Sequence, residues 1–273
     1  MARAVGIDLG TTNSLVGYTW RGKETLAPDP VTNREWMPSV VGLDQAGQFI
    51  FGGQVEALVD AGHADAVHSV KRLMGRRWDD PHVQRLISEK RLFYTILEHP
   101  DHRGEIGIQL GEKIYTPVEI SSFILRRLAD AAASMGGEEV SHAVITVPAY
   151  FRDPAILATR EAGRMAGLRV KHVMPEPTAA AVAYGADELD DGSGRYIVVF
   201  DFGGGTFDVS IILAAGGALN VLRVGGDNFL GGDDVDRAIM QRWDDQLRAT
   251  EGVSILEGTG LSASSTADRR VTE

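Results

Sequence analysis

Val198–Ser210 reads VVFDFGGGTFDVS, and the fold turns on it. An apolar run from Tyr196 to Phe200 leads into Asp201, the triplet Gly203, Gly204, Gly205, then Thr206 and a second apolar run through Val209, Ile211 and Leu213. That order predicts a strand, a tight turn and a returning strand. Glycines there permit positive φ and leave no Cβ in the way, so successive backbone N–H groups can converge on an anion. Asp201, at the mouth of the turn, suits a hydrated Mg²⁺ beside that anion better than the anion itself. A single glycine-rich hairpin reads more readily as an ordinary two-stranded turn with a surface aspartate. Val5–Tyr18, VGIDLGTTNSLVGY, repeats the plan with Asp8, Gly10 and a hydroxyl-rich turn of Thr11, Thr12, Asn13 and Ser14. Two such hairpins far apart in one chain predict a duplicated unit whose halves face each other across a shared ligand, and a polyphosphate with its metal fits that cleft.

The length of 273 residues allows one or two domains, and 44% hydrophobic with 24% charged residues is ordinary for a globular protein. A net charge of −11 argues against nucleic-acid and anionic-membrane partners. With no cysteine there is no disulfide framework, thiolate nucleophile or cysteine zinc site. No apolar run reaches membrane-spanning length, and the expected location is the cytoplasm.

After the first hairpin, Pro28, Pro30 and Pro38 punctuate a loop. Residues from about 39 to 112 carry short helical patterns (Val55–Val59, Val83–Ile87) and polar turns, which reads as a small inserted subdomain. It contains the basic segment Ser69–Arg76, SVKRLMGR, which without other context is a solvated face. Thr116-Pro117-Val118-Glu119 is a helix start with N-cap, first-turn proline and capping-box glutamate, and Gly136-Gly137 stops that helix. Ala143–Val147 is a buried strand closed by Pro148. Asp153 caps the helix that follows it. Val170–Met174 is a further strand, and Thr178–Tyr184 an alanine-rich helix. Glu176 falls between a strand end and a helix start, where open α/β sheets place ligand-facing groups, although a glutamate there also caps. The acidic Asp187–Gly194 is an expected link between halves, and Asp233 and Asp234 open a last helix whose dipole they suit.

Three separated segments, GIDLGTTNS (Gly6–Ser14), ITVPAYF with EPTAAAVAYG (Ile145–Phe151, Glu176–Gly185) and FDFGGGTFDVS (Phe200–Ser210), together resemble the nucleotide-binding domain of DnaK-like chaperones, the seventy-kilodalton heat-shock family. VKRLMGR (Val70–Arg76) and FLGGDDVD (Phe229–Asp236) match in the same order. The resemblance implies an α/β, actin-like ATPase fold of two ribonuclease-H-like lobes closing on Mg-ATP, with the second lobe incomplete. It divides the chain into a first lobe at 1–186, part of a second at 187–250, and a disordered tail or truncation edge at 251–273.

Carried over by position, Gly10, Thr11, Thr12 and Asn13 resemble one phosphate loop, Gly203, Gly204, Gly205 and Thr206 the other, and Gly231 and Gly232 a further cofactor contact. Lys71, Glu176 and Asp201 take the catalytic positions. Asp8, Asp201 and Asp208 take the metal positions, acting through water. The implied cofactors are ATP or ADP and Mg²⁺, and the implied partners are a J-domain protein and a nucleotide exchange factor. The family's peptide-binding domain and adenine-clamping segment have no counterpart in these residues, and Ile156 stands where the family has a relay arginine. A non-hydrolysing binding fragment and an actin-like filament protein are the alternatives on the same fold.

Overall fold

The computed structural model describes residues 3–60, 65–89, 91–92, 94–185, 194–227 and 230–256. The first hairpin is β1 (Arg3–Asp8) and β2 (Asn13–Trp20), extended by β3 (Lys23–Leu26) and by β4 (Met37–Pro38), which pairs with the start of β2. The inserted stretch follows as β5 (Val41–Leu43), β6 (Phe49–Phe51), α1 (Gly53–Asp60), β7 (Asp65–Val67), a 3-10 turn at Val70–Leu73, α2 (Pro81–Ser88), β8 (Ile96–Glu98), β9 (Ile106–Leu110) and β10 (Lys113–Tyr115). Both helical patterns are present, but reading this stretch as helices and turns misses six short strands, which form two three-stranded sheets. Runs of three to five residues are too short for alternation to stand out from a buried helical turn.

α3 (Pro117–Gly136) begins as its sequence predicts. The Thr116 hydroxyl accepts from the Glu119 N–H at 3.2 Å, and the Glu119 carboxylate accepts from the Thr116 N–H at 2.7 Å. It ends at Gly137 in the left-handed region, φ 64°. β11 (Val140–Val147) leads to α4 (Asp153–Met165), and the cap there differs from expectation: Arg152 occupies the N-cap without a side-chain bond, and Asp153 is the first helical residue. β12 (Arg169–Pro175) runs directly into α5 (Glu176–Ala183).

The principal sheet has the order β12-β11-β1-β2-β3, parallel across β12, β11 and β1 and antiparallel beyond. It is the mixed sheet of an α/β protein, packed against α3 and α4 over a core that includes Ile7, Val16, Ile120, Ile124, Leu125 and Ile145. The parallel pairing brings Asp8 beside Thr146 at the carboxyl ends of β1 and β11, which is where open α/β sheets bind ligands.

The second hairpin is β13 (Arg195–Phe202) and β14 (Phe207–Ala215), continued by β15 (Ala218–Asp227) into a three-stranded antiparallel sheet. One face packs Ile197, Val199 and Ile212 on Ala181 of α5. On the other, Tyr196, Val198 and Phe200 are 73%, 64% and 68% exposed. α6 (Gly232–Glu251) closes the described chain, with Asp244 buried and accepting from Arg248, Ser254 and the Ile255 and Leu256 N–H groups. Asp187–Ser193 of the expected link and residues 257–273 of the expected tail lie outside the described residues.

Candidate functional site

The two turns meet. A Cβ on Gly204 would overlap the Thr12 side chain, and one on Gly205 would overlap that of Thr11. The glycines are therefore required for space. None of Gly203, Gly204 and Gly205 lies at positive φ, so the left-handed conformation expected of them is not what they supply. Gly203 N–H closes the second turn on Thr206 O at 2.9 Å, and Gly10 N–H closes the first on Ser14 Oγ at 3.1 Å. The N–H groups of Thr11, Thr12, Gly204 and Gly205 find no acceptor among the described residues. Four unclaimed donors on two facing loops are the makings of an anion cradle.

Gly231 and Gly232, expected as a cofactor contact, pack against the second loop. Gly231 lies against the Gly204 backbone so closely that a Cβ would overlap it. The N–H of Gly232 donates to Gly203 O at 3.0 Å and that of Asp233 to Gly204 O at 2.8 Å. These glycines brace the second loop from behind.

The acidic residues converge on one cation. Lys71, 7% exposed, comes from the 3-10 turn of the insertion and donates to Glu176 Oε1 at 2.6 Å, a pair 105 residues apart. Glu176 occupies the first position of α5, so the strand-to-helix junction aims it inward. Burial raises its pKa, Lys71 opposes that rise, and Asp8 and Asp201 add to it. Asp201 is raised by burial and then by Asp8. Asp208, 4% exposed with Oδ1 unpartnered, is pushed up to about 7 by burial, Glu176 and Asp201. Asp8 accepts from Thr146 Oγ1 at 2.8 Å. Glu176 and Asp201 thus feel Asp8 of the first hairpin, Asp208 feels Glu176 and Asp201, and one buried lysine does not neutralise four carboxylates.

Further cationic charge is the natural complement of this set. Among the described residues no three carboxylates or imidazoles are close enough together to ligate a metal ion directly. The chemistry of the donors fits a hydrated Mg²⁺ held through water, with the unpartnered Asp208 Oδ1 among the acceptors.

Several residues here were not singled out from sequence. Thr146 anchors Asp8, and Tyr150 lies near Thr206, Asp208 and Glu176. Arg72 and Arg91 tie the insertion to the start of α6, with Arg91 Nη1 at 2.9 Å and Arg72 Nη2 at 3.5 Å from Asp234. Thr12 Oγ1 reaches Asp233 Oδ1 at 3.4 Å. Asp233 and Asp234 therefore do more than suit a helix dipole: they fasten the second hairpin's helix to the first lobe. The available signal was the basic run around Lys71, which calls for acidic partners somewhere in the chain.

A family model described as Hsp70 protein matches residues 4–262. The chain belongs to the Hsp70 family. Membership carries the actin-like ATPase fold, and the mixed α/β architecture agrees with it. This Hsp70 chain corresponds to a chaperone nucleotide-binding domain, a class that in general uses nucleotide with Mg²⁺.

Proposed function

We propose that the cleft between the two hairpins binds Mg-ATP and hydrolyses its terminal phosphoanhydride to drive a chaperone cycle. The observation that carries this reading is the meeting of Asp8, Glu176, Asp201 and Asp208 around buried Lys71, beside four unclaimed backbone donors. The Thr11, Thr12, Gly204 and Gly205 N–H groups bind phosphate oxygens, and the Lys71 ammonium neutralises charge on the terminal phosphate. Mg²⁺, when bound, would supply positive charge that stabilises the charge developing on the phosphates. Asp8, Asp201 and Asp208 are the residues that would hold it through water. Glu176 fixes the Lys71 ammonium through Oε1, leaving Oε2 to orient the attacking water. Thr146 keeps Asp8 in place. Little covalent chemistry is asked of the protein; positioning and electrostatics suffice.

Replacing Lys71 by Ala removes the buried cation paired with Glu176. Steady-state phosphate production should fall by about 10²–10³-fold, the loss seen for a single preorganised electrostatic contact. Asp201→Asn should weaken Mg²⁺ dependence with a smaller fall. Turnover unchanged in Lys71→Ala would remove the assigned role. A J-domain protein and an exchange factor are the proposed partners, and a reducing compartment such as the cytoplasm suits a chain with no cysteine.

Binding without turnover is the second reading, and the exposed apolar face of β13 favours it, since the hairpin carrying Asp201 rests on little buried surface. Calorimetry with Mg-ATP alongside the turnover assay separates the two.

A further inference from the structure

A cavity of about 420 Å³ opens behind Lys71. Its walls include Lys71, Arg72, Arg76, Tyr150 and Arg152, but none of Asp8, Glu176, Asp201, Asp208 or the two loops. It therefore adjoins the cleft without being part of it, and two residues form the partition. Lys71 reaches Glu176 on one side and lines the cavity on the other. Tyr150 lies near Thr206 of the second loop and also lines the cavity.

The chemistry of the cavity is cationic. Four of its lining residues carry positive charge, against the single carboxylate of Asp80, which is engaged by Arg76 Nη1 at 3.0 Å. Arg72 is 6% exposed along its side chain, and its buried Nε has no partner. A Cβ on Gly205 would lie 3.0 Å from that nitrogen, so Arg72 spans from the second loop to the cavity. Arg152 makes no ion pair among the described residues. It also forms the N-cap of α4 with no side-chain bond, and Pro154 and Ala155 of the first turn line the cavity. The positive end of a 13-residue helix thus faces the same space as the arginines.

We propose that this cavity is an inorganic-phosphate site that receives the phosphate cleaved in the adjoining cleft and passes it to solvent by way of Tyr150, Arg72 and Arg152. The route rests on the ATPase reading; the anion site does not. Phosphate crosses from Lys71 and Thr206 to arginines that offer charge-assisted hydrogen bonds, while the nucleoside diphosphate stays in the cleft.

The test begins with a titration of the chain by inorganic phosphate, followed by ³¹P line width, with a non-hydrolysable ATP analogue present to block the cleft. Arg152→Glu, at an exposed position, and Arg76→Gln should each weaken phosphate binding about tenfold, the loss of roughly one charge-assisted contact. ATP affinity by calorimetry should stay at the parental value in both. Phosphate binding equal to the parent's in both variants would overturn the site. Phosphate binding sensitive to Arg152 in a chain that fails to bind ATP would sink the nucleotide reading and leave the anion site standing. In a single turnover, Arg152→Glu should slow phosphate release about tenfold while the rate of ATP cleavage is unchanged, and release at the parental rate would remove the exit role.

Discussion

The first hairpin lies at the centre of a six-stranded sheet covered by α3 and α4, and its inward residues Ile7 and Val16 are essentially inaccessible to solvent. The second has the same order of residues but belongs to a three-stranded sheet whose buried cluster is Ala181 and Ile212. Both hairpins deliver an aspartate and a donor-rich turn to the same cleft, yet the first is held by its own core. The second is held largely at its tip, by Gly231 and Gly232 behind the loop and by Arg72 and Arg91 on Asp234. A shared motif thus says nothing about shared stability: the motif fixes the chemistry at the turn, and the surrounding layers fix how firmly it is held.

The largest expected contrast comes from truncating one aliphatic side chain on each sheet. Ile145→Ala, at a position 0% exposed, should cost about 2–5 kcal/mol in urea unfolding. Val198→Ala, 64% exposed on the second sheet, should stay within about 0.5 kcal/mol. Equal losses would mean that the second sheet is packed as firmly as the first.

Next in size is the fastening between the lobes. Asp234→Asn strips the charge from the Arg72 and Arg91 contacts and should destabilise the second hairpin by about 1.5–3 kcal/mol. Hydrogen exchange should show the loss in β13 and β14 first, with β1 and β2 unaffected.

The contact between the turns can be sharpened separately. Gly204→Ala forces a methyl against Thr12 and should cost about 1–3 kcal/mol by overpacking. Much of that cost should vanish in a Thr12→Gly background, where the opposing side chain is gone. Additive losses in the double variant would show that the turns do not press on each other.

The last test is a pH slope. Asp208 has its pKa raised from 3.8 to about 7, so the folded Mg²⁺-free chain binds more protons than the unfolded chain between those values. Its contribution to stability is full below the unfolded value and is lost as pH rises through about 7. His68 works in the opposite direction, since burial and Arg72 lower its pKa from 6.5 to about 4, favouring the fold as pH rises across that range. The difference between the parent and Asp208→Asn isolates the aspartate: the variant's advantage should grow from pH 4 to pH 7 and then level off. A constant difference would mean that Asp208 is ionised throughout.

The site residues divide by the kind of signal each one leaves. Asp8, Asp201 and the two turns announce themselves because strand, carboxylate, glycine and returning strand are contiguous in the chain. The capping box of α3 is legible for the same reason. Thr146 and Tyr150 leave no such mark, since each acts on a partner brought near by sheet pairing or by loop packing. The roles of Gly231 and Gly232 are likewise invisible in isolation. A glycine pair reads as freedom of the backbone, whereas here one glycine allows close approach and the other lends its N–H to the neighbouring loop.

By itself the sequence determined the two acidic hairpins, the α/β alternation, the principal helix with its ends, and the family to which the chain belongs. Those follow from local periodicity, backbone preference and residues that succeed one another in the chain. Only the tertiary structure decided that Lys71 meets Glu176 across 105 residues, that the two turns are pressed together, and that an arginine-lined cavity adjoins the cleft. Long-range pairs are chosen by how layers pack and by which buried charges must be matched, and no short window of sequence holds both members of such a pair.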